Sequence, residues 1–318
     1  MGKFSKKYMR SLHKRIRSIR RWFQWHLLFV LIRITRGLAI ILPESLAFGM
    51  GEVMSGIWHK CARKNKMQAD QSLKTAFPRW RSEQRERVMR AVFRNLGRSA
   101  IELFRFYGGK YDLLKHLHID NIDRLTRALE KGRGVIIVSA HLGNWELLAC
   151  AASALGFPTR VVANRIRDSR IDRLLYQSRS RAGVAMVFRD ERIVHMLRHL
   201  RDKEILAILI DQDSHFNGIF VSHFNQPTYT ARGPAILALA SGAPIVPVFI
   251  ARDDDGLHRV YMEEPIVANP SEDREQEIRR ITQSCMDIVE RYIRQFPDQW
   301  VWMHRRWKTR PKDSPQPD

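Results

Sequence analysis

Short apolar runs alternate with amphipathic stretches through the centre and C-terminal half of the chain. Runs rich in valine and isoleucine occupy residues 134–140, 159–164, 184–188, 205–211, 243–250 and 258–266. Apolar positions recur at helical spacing over 145–155, 168–180, 190–201, 232–241 and 271–295. Strand-length apolar runs alternating with helical segments are typical of βαβ units. The pattern therefore predicts an α/β domain with a mostly parallel central sheet flanked by helices.

A helical region precedes this α/β core. Residues 44–108 carry apolar positions at helical spacing, as from Val88 to Leu96, with charged residues on the opposite face. Pro78 divides the stretch into two parts. We expect residues 44–311 to form one domain, in which 44–108 are helical and 130–311 form the α/β core.

The N-terminus combines strong positive charge with an apolar segment. Residues 1–22 contain nine Lys or Arg and no acid. Residues 23–42 are apolar but interrupted by His26, Arg33 and Arg36. Charges inside a span are costly, so a basic amphipathic helix in the membrane interface explains the segment at least as well as a transmembrane helix. Both interpretations make residues 1–43 a membrane anchor.

The side of the membrane follows from two further observations. Cys61, Cys150 and Cys285 lie far apart and form no disulfide framework, which favours a reducing, cytosol-facing compartment. A single span with its basic flank inside would place the body outside, in conflict with these thiols. The prediction is therefore an interfacial or re-entrant anchor. The polar tail, residues 312–318, is predicted to be disordered.

The charge balance calls for an anionic partner. The 318 residues include 55 Lys or Arg against 33 Asp or Glu, a formal charge of +22. Nucleic acid, a membrane surface and acidic ligands would all fit. The chain has no recognisable nucleic-acid-binding pattern, and its charge is concentrated beside an apolar, aromatic segment. The prediction is a membrane and an acidic ligand, and no nucleic acid.

The candidate chemistry follows the first central strand. His141 comes at the carboxyl end of that strand, where open α/β sheets bind ligands. Leu142-Gly143 makes a short turn, and Asn144 is a good N-cap for the next helix. We expect Glu146, in the first turn of this helix, to reach the His141 ring and leave one ring nitrogen free as a general base. Asn144 and the free helix amides are candidates for contacting substrate.

Two other groups of residues supplement this motif. Asp211 and Asp213 follow the apolar run at 205–211, so they too lie at a strand's carboxyl end, either as functional acids or as caps of a turn. A strip of arginines comprises Arg165, Arg167, Arg170, Arg173, Arg179 and Arg181. Such a strip forms either a solvated helix face or a site for a phosphate-bearing headgroup.

Other classes of protein fit less well. His195 and His199 are four apart on a predicted helix, but no Glu follows the first and no third ligand has a zinc-site spacing. A non-catalytic membrane scaffold has no use for a His–Glu pair at a strand terminus. The segment from Met303 to Lys308 is either a basic, aromatic membrane patch or a packed C-terminal tail.

The sequence HLGNWE at 141–146 resembles the H-x4-D/E motif of glycerolipid acyltransferases, and in form it resembles the lipid A biosynthesis acyltransferase branch. Segments at 66–80, 92–106, 210–213, 224–249 and 297–311 resemble other regions of that branch in the same order. The last of them, PDQWVWMHRRWKTRP, is the closest match. The resemblance covers nearly the whole chain and implies the glycerolipid acyltransferase fold.

The resemblance also implies a reaction. The base His141, assisted by Glu146, would activate a hydroxyl that attacks an acyl thioester on acyl carrier protein. Arg179, with Arg181 as a rival, and Asp211 would also serve activity, while Arg165 and Asp213 would contact substrate. The acceptor would be a lipid A precursor, with a lysophospholipid, ornithine lipid or other glycolipid as alternatives. No metal or cofactor is implied, and the enzyme would sit on the inner membrane, its active site facing the cytoplasm.

Overall fold

The computed structural model describes residues 2–189, 191–214 and 217–311, so the tail predicted at 312–318 lies outside the described residues. Helices occupy α1 Gly2–Ile41, α2 Glu44–Cys61, α3 Arg63–Ala76, α4 Ser82–Tyr107, α5 Ile122–Glu130, α6 Trp145–Ala154, α7 Ser169–Arg181, α8 Ile193–Arg201, α9 Gly233–Ser241 and α10 Arg274–Gln295. Strands occupy β1 Leu117–Asp120, β2 Val135–Ser139, β3 Thr159–Ala163, β4 Ala185–Phe188, β5 Ile205–Leu209, β6 Gly218–His223, β7 Gln226–Ala231, β8 Ile245–Arg252 and β9 His258–Met262.

Seven strands form the central sheet, in the order β1-β9-β8-β2-β5-β3-β4. Every neighbouring pair is parallel except β8 and β9, which are antiparallel. The predicted α/β fold with a mostly parallel sheet is confirmed. The sequence pattern missed the edge strand β1, the helix α5 and the separate antiparallel hairpin of β6 and β7.

Helices cover both faces of the sheet. Along β2, Ile137 packs into a cluster with Leu125 of α5, whereas Ile136 and Val138 pack on the opposite face with residues of α8, α9 and α10. Successive strand residues point to opposite faces, so a strand covered on both sides reads as a continuous apolar run. The fully buried VIIVS sequence of β2 has this pattern.

The N-terminal helical region packs against the α/β core through α4. A Cβ atom on Gly97 of α4 would lie 2.7 Å from the carbonyl oxygen of Gly51 in α2, so glycine allows the close approach of these helices. Arg105 of α4 is buried and donates hydrogen bonds of 3.0 Å to the carbonyl oxygens of Ala39 and Leu42. These bonds satisfy carbonyls at the C-terminus of α1 and fix that helix to the body.

The opposite side of α1 is apolar and exposed. Six exposed apolar side chains recur every three or four residues: Phe23, Leu27, Leu31, Ile34, Leu38 and Ile41. Trp22, Leu28 and Val30 are exposed beside them. Within the described residues, the segment Arg20–Ile41 is the single helix long and apolar enough to cross a membrane by length and composition. Exposed apolar residues at this spacing form one stripe along a helix.

Candidate active site

The register of the sheet brings His141 and Asp211 together. Strands β2 and β5 are parallel neighbours in which Ser139 pairs with Leu209. Two residues further along each strand, at the same edge of the sheet, come His141 and Asp211. His141 Nδ1 lies 2.8 Å from Asp211 Oδ1, and the His141 backbone N–H donates to Asp211 Oδ2 at 2.8 Å. The strand order thus creates a carboxylate–imidazole pair from residues 70 positions apart.

Asp211 is fully buried and held in one orientation. The carboxylate accepts a third hydrogen bond, 2.7 Å long, at Oδ2 from the indole N–H of the buried Trp300. Burial by itself would raise the pKa of Asp211, but the positive field and hydrogen bonds of His141 lower it well below its usual value. Burial lowers the pKa of His141, yet the charge and hydrogen bond of Asp211 outweigh this, so the pKa is raised overall. An ionised Asp211 thus favours the Nδ1–H tautomer, which leaves Nε2 as the basic nitrogen.

Glu146 occupies a different place from the one expected. Its carboxylate accepts two hydrogen bonds from the guanidinium of Arg179, at 2.9 Å from Nε and 2.5 Å from Nη2. The expectation that Glu146 orients the His141 ring is therefore corrected, since Asp211 makes that contact. Burial lowers the His141 pKa and Asp211 raises it, and the charge of Glu146 raises it by less than Asp211 does. The bidentate pair joins the first turn of α6 to the last turn of α7.

The turn between β2 and α6 depends on Gly143. Its φ is +58°, and a Cβ atom there would lie 2.2 Å from the Ile250 carbonyl oxygen, a distance no side chain tolerates. The Gly143 N–H donates to the Gln299 carbonyl oxygen at 3.0 Å. Asn144 caps α6 by accepting a hydrogen bond from the backbone N–H of Leu147, as predicted. The turn is therefore fixed by backbone geometry that few other sequences allow.

Asn144 is buried and serves this framework rather than the cavity. Its amide donates to the carboxylate of Glu102 at 3.0 Å and to the Ser99 carbonyl oxygen at 3.2 Å. Glu102 also binds the guanidinium of Arg252 and lies 3.1 Å from the His258 ring. Burial acts to raise the pKa of Glu102, but these partners lower it to about 2. The buried Glu102–Arg252 ion pair, with its further hydrogen bonds, thus holds Asn144 and the turn in place.

Two residues missed by the sequence pattern complete the surroundings of His141. The Gln212 amide nitrogen lies 3.3 Å from His141 Nε2 and 3.3 Å from Nε2 of His304. The His304 ring centre is 4.8 Å from that of His141. Burial, the His141 charge and Arg306 lower the pKa of His304 to about 4 despite Asp211, so at neutral pH it adds no charge. The amide of Gln212 thus occupies the position beside Nε2 where a hydroxyl would approach.

The C-terminal segment forms part of this framework. Arg306 is fully buried and donates to the Gln212 carbonyl oxygen at 2.8 Å and to Thr230 Oγ1 at 2.5 Å. Of the two interpretations of the segment from Met303 to Lys308, the packed tail is the one seen here. Trp300, which precedes this segment, donates its indole N–H to Asp211, and His304 within it lies against the His141 ring.

The other predicted residues lie at varied distances from this centre. Asp213 is buried and accepts hydrogen bonds from the backbone N–H and the hydroxyl of Thr309. Arg165 is exposed, with its guanidinium 3.7 Å from the centre of the Phe188 ring. Arg181 is exposed and does not line the cavity described next, whereas Arg179 does. The geometry thus favours Arg179 of the two rivals.

A cavity of about 610 Å³ opens beside His141 and is lined by residues from both faces of the sheet. The portion between the sheet and α5 and α6, here named the α6 lobe, is lined by Leu125, Ile137, Leu148, Phe157, Val161, Val260 and Met262. Small residues of α6, Ala149 and Ala152, also line it. Its wall is apolar, and the charged Glu146 and Arg179 stand beside His141. An apolar lobe that ends at a carboxylate–imidazole pair suits the acyl chain of a reactive ester.

The His141–Asp211 pair and the apolar cavity beside it are features that an enzyme acting on acyl chains would need. The family described as bacterial lipid A biosynthesis acyltransferase matches residues 9–309. The chain therefore belongs to this family and is an enzyme that transfers acyl groups.

Curated relatives agree with this assignment. The chain is 25% identical to the lipid A biosynthesis palmitoleoyltransferase of Escherichia coli K12, covering 97% of this chain and 96% of the relative. It is 24% identical to the lipid A biosynthesis lauroyltransferase of the same organism, covering 93% and 94%. It is 27% identical to the phosphatidylinositol mannoside acyltransferase of Mycolicibacterium smegmatis, covering 69% and 72%.

Proposed function

We propose that this protein transfers a fatty acyl chain from an acyl carrier protein thioester to a hydroxyl of a lipid A precursor. The observation that carries the proposal is the His141–Asp211 pair, because His141 lines a largely apolar cavity. The family assignment supplies the substrate class. Since a mycobacterial relative is named for a phosphatidylinositol mannoside, a related glycolipid acceptor is the second candidate.

The proposed reaction uses the groups beside the cavity. Nε2 of His141 removes the proton of the acceptor hydroxyl, and the oxygen attacks the thioester carbonyl. The new C–O bond forms as the C–S bond breaks, and the protonated imidazole returns its proton to the departing thiolate. Asp211 stabilises the imidazolium that forms between these steps. The Glu146–Arg179 pair holds the start of α6 in place and adds a positioned guanidinium beside the reacting ester.

A direct assay tests this function. Purified protein is incubated with an acyl carrier protein thioester and a lipid A precursor that has a free hydroxyl on an acyl chain. Mass spectrometry of the lipid should show the gain of one acyl group. Deleting the protein in its source cell should remove one acyl chain from lipid A. A gain on a phosphatidylinositol mannoside alone would transfer the proposal to the second acceptor.

The excess of positive charge supports an acidic donor. With 55 basic against 33 acidic residues, encounter with an acidic carrier protein should be accelerated by long-range attraction. The Debye length falls from about 10 Å at 0.1 M salt to about 3 Å at 1 M. We expect kcat/KM for the carrier-protein thioester to fall steeply over that range while kcat changes little. The matched control is an uncharged thioester with the same acyl chain, for which kcat/KM should stay nearly constant. Equal salt responses for both donors would contradict steering by charge.

We further propose that α1 attaches the enzyme to the cytoplasmic face of the inner membrane, with its exposed apolar stripe in the lipid. Arg36 lies on the side of α1 away from the stripe, and Thr35 is buried against the body. Basic residues at 2–21 would add electrostatic attraction to anionic lipid, about 1 kcal/mol each near the surface. This arrangement supports an interfacial helix more than a span.

Substitution in the stripe should release the protein from membranes. Because Arg105 bonds to carbonyls at the end of α1, substitution is a cleaner test than deletion. We expect Leu27→Gln, Leu31→Gln and Ile34→Gln together to move most of the protein to the soluble fraction, since each side chain forfeits about 1.5–3 kcal/mol of burial in lipid. The measurement is flotation with anionic vesicles.

The control for this experiment uses exposed apolar residues elsewhere. Val194 and Val267 belong to the α/β part of the chain, and their exposed fractions are 64% and 55%. The variant with Val194→Gln and Val267→Gln should float like the unaltered protein. If the variant of the α1 stripe also floats fully, the membrane contact lies elsewhere in the molecule.

A further inference from the structure

The cavity beside His141 continues onto the second face of the sheet. Along β3 and β5, Val162 and Ile208 point away from the α6 lobe, and both line the cavity. Helices α8 and α9 close this second portion with Met196, Ile236 and Leu237. We name it the α9 lobe. Its floor is apolar, so it suits a second alkyl chain rather than a water-filled channel.

The rim of the α9 lobe carries more polar side chains than that of the α6 lobe, which has the Glu146–Arg179 pair. The charged side chains of the α9 lobe rim are Arg189, Glu191, Asp213 and Arg232, and Ser214 and Asn217 add uncharged polar groups. They include both cationic donors and anionic acceptors, so their charges largely offset one another. Arg232 is ion-paired with Glu275 at 2.5 Å, and Asp213 is bonded to Thr309. Carboxylates that only accept and guanidinium groups that only donate can together bind several hydroxyls of one headgroup.

The two lobes meet at the reacting nitrogen. Gln212 and His141 lie between them at the carboxyl ends of β2 and β5, and both line the cavity. A transfer reaction requires two chains to approach this point, one that carries the carbonyl and one that carries the hydroxyl. The α6 lobe, which is apolar up to the ester position, fits the uncharged acyl chain of the donor. The α9 lobe has a polar rim, and the apolar acyl chain of a thioester has no groups that could form hydrogen bonds with it.

Building on the proposed function, we infer that the α9 lobe binds an alkyl chain of the acceptor, whose sugar headgroup contacts the polar rim. Enclosure of several methylene groups in such a lobe strengthens binding of the chain-bearing acceptor. Binding of this alkyl chain in the α9 lobe places the acceptor hydroxyl beside Nε2 of His141. There the hydroxyl displaces the Gln212 amide. The polar rim favours a polyhydroxylated headgroup over a lysophospholipid that carries the same chain.

The test compares two acceptors that share a headgroup and a reactive hydroxyl, one with and one without the additional alkyl chain. In the unaltered protein the chain should lower the acceptor KM at least about tenfold, the gain expected from burying two methylene groups. Ile236→Trp fills the α9 lobe from a half-buried position and should bring the two KM values together. The KM and chain-length preference of the donor should remain unchanged.

The matched variant fills the other lobe. Ala152→Leu should shift the donor preference to shorter chains and leave the difference between the two acceptors intact. Met196→Phe provides a second filling of the α9 lobe, and thermal unfolding of each variant checks that it is folded. If Ile236→Trp or Met196→Phe alters donor chain length instead, the lobe belongs to the donor and the inference is wrong.

Other outcomes are equally decisive. Equal KM values for the two acceptors in the unaltered protein would overturn the inference without any variant. Preference for a lysophospholipid over a glycolipid with the same chain would overturn the assignment of the rim. Absence of transfer to every acceptor would instead refute the proposed function, which is a separate result.

Discussion

His141→Ala is expected to lower kcat by a factor on the order of 10² to 10⁴, because a positioned general base contributes an acceleration of that size. The His141 side chain is 18% exposed and contacts Asp211, Gln212 and Trp145. Its removal takes a partner from the buried Asp211, so the stability of the variant is measured together with its activity. The measurement is turnover of thioester in the presence of acceptor, with the thermal unfolding midpoint as the check of folding.

The control for this variant is His195→Ala. His195 lies on α8 with its side chain 57% exposed, 3.7 Å from Glu191. It tests whether loss of any histidine reduces activity. Turnover close to that of the unaltered protein in His141→Ala would refute the proposed mechanism. A loss in His195→Ala as large as that in His141→Ala would show that the effect is not specific to the base.

Asp211→Asn is expected to reduce kcat by a comparable factor, although it removes no atom that touches substrate. The buried carboxylate accepts the Nδ1–H of His141 at 2.8 Å, which keeps Nε2 unprotonated. An amide at this position can donate to Nδ1 and so favour the wrong tautomer, and it no longer stabilises the imidazolium. Since both groups act as one unit, the variant with both His141→Ala and Asp211→Asn should be little worse than His141→Ala alone.

The pH profile separates this role from a structural one. The base must be neutral to accept a proton, so kcat/KM should rise with pH through the His141 pKa. Burial lowers that pKa, but Asp211 raises it above the usual value in the unaltered protein. Removal of the Asp211 charge should therefore shift the acidic limb to lower pH while the maximum falls. Asp213→Asn, which alters the acid bonded to Thr309, should leave the limb in place. An unmoved limb in Asp211→Asn would contradict the assigned role.

Much of the site's local geometry could be predicted from the sequence. Three features depend only on neighbouring residues, and helix-capping and turn preferences predict them: the turn at Gly143, the cap at Asn144 and the position of His141 at a strand's end. Asp211 was also placed at a strand's end. The partner of His141 was not predictable, because Glu146 is five residues away whereas Asp211 is 70 residues away.

Gln212, His304 and Arg306 carried no local signal of their own. The C-terminal segment was similar to known sequences but had two interpretations, because a basic, aromatic stretch can be exposed or packed. The bonds of Arg306 to Gln212 and Thr230 exist only after α10 has returned the chain to the sheet's edge. A contact between segments that are far apart in the sequence forms only when the chain is folded, so neither segment alone predicts it.

By itself the sequence determined the elements of this protein: the parallel α/β core, the basic and apolar N-terminus, and the placement of His141 after a strand. These follow from periodicity and from short-range backbone preferences, which act between neighbours. Only the tertiary structure decided that β2 lies beside β5, which gives His141 its acid, turns Glu146 toward Arg179 and opens a cavity on both faces of the sheet. Strand order is set by the burial of whole faces, a property that no single segment carries.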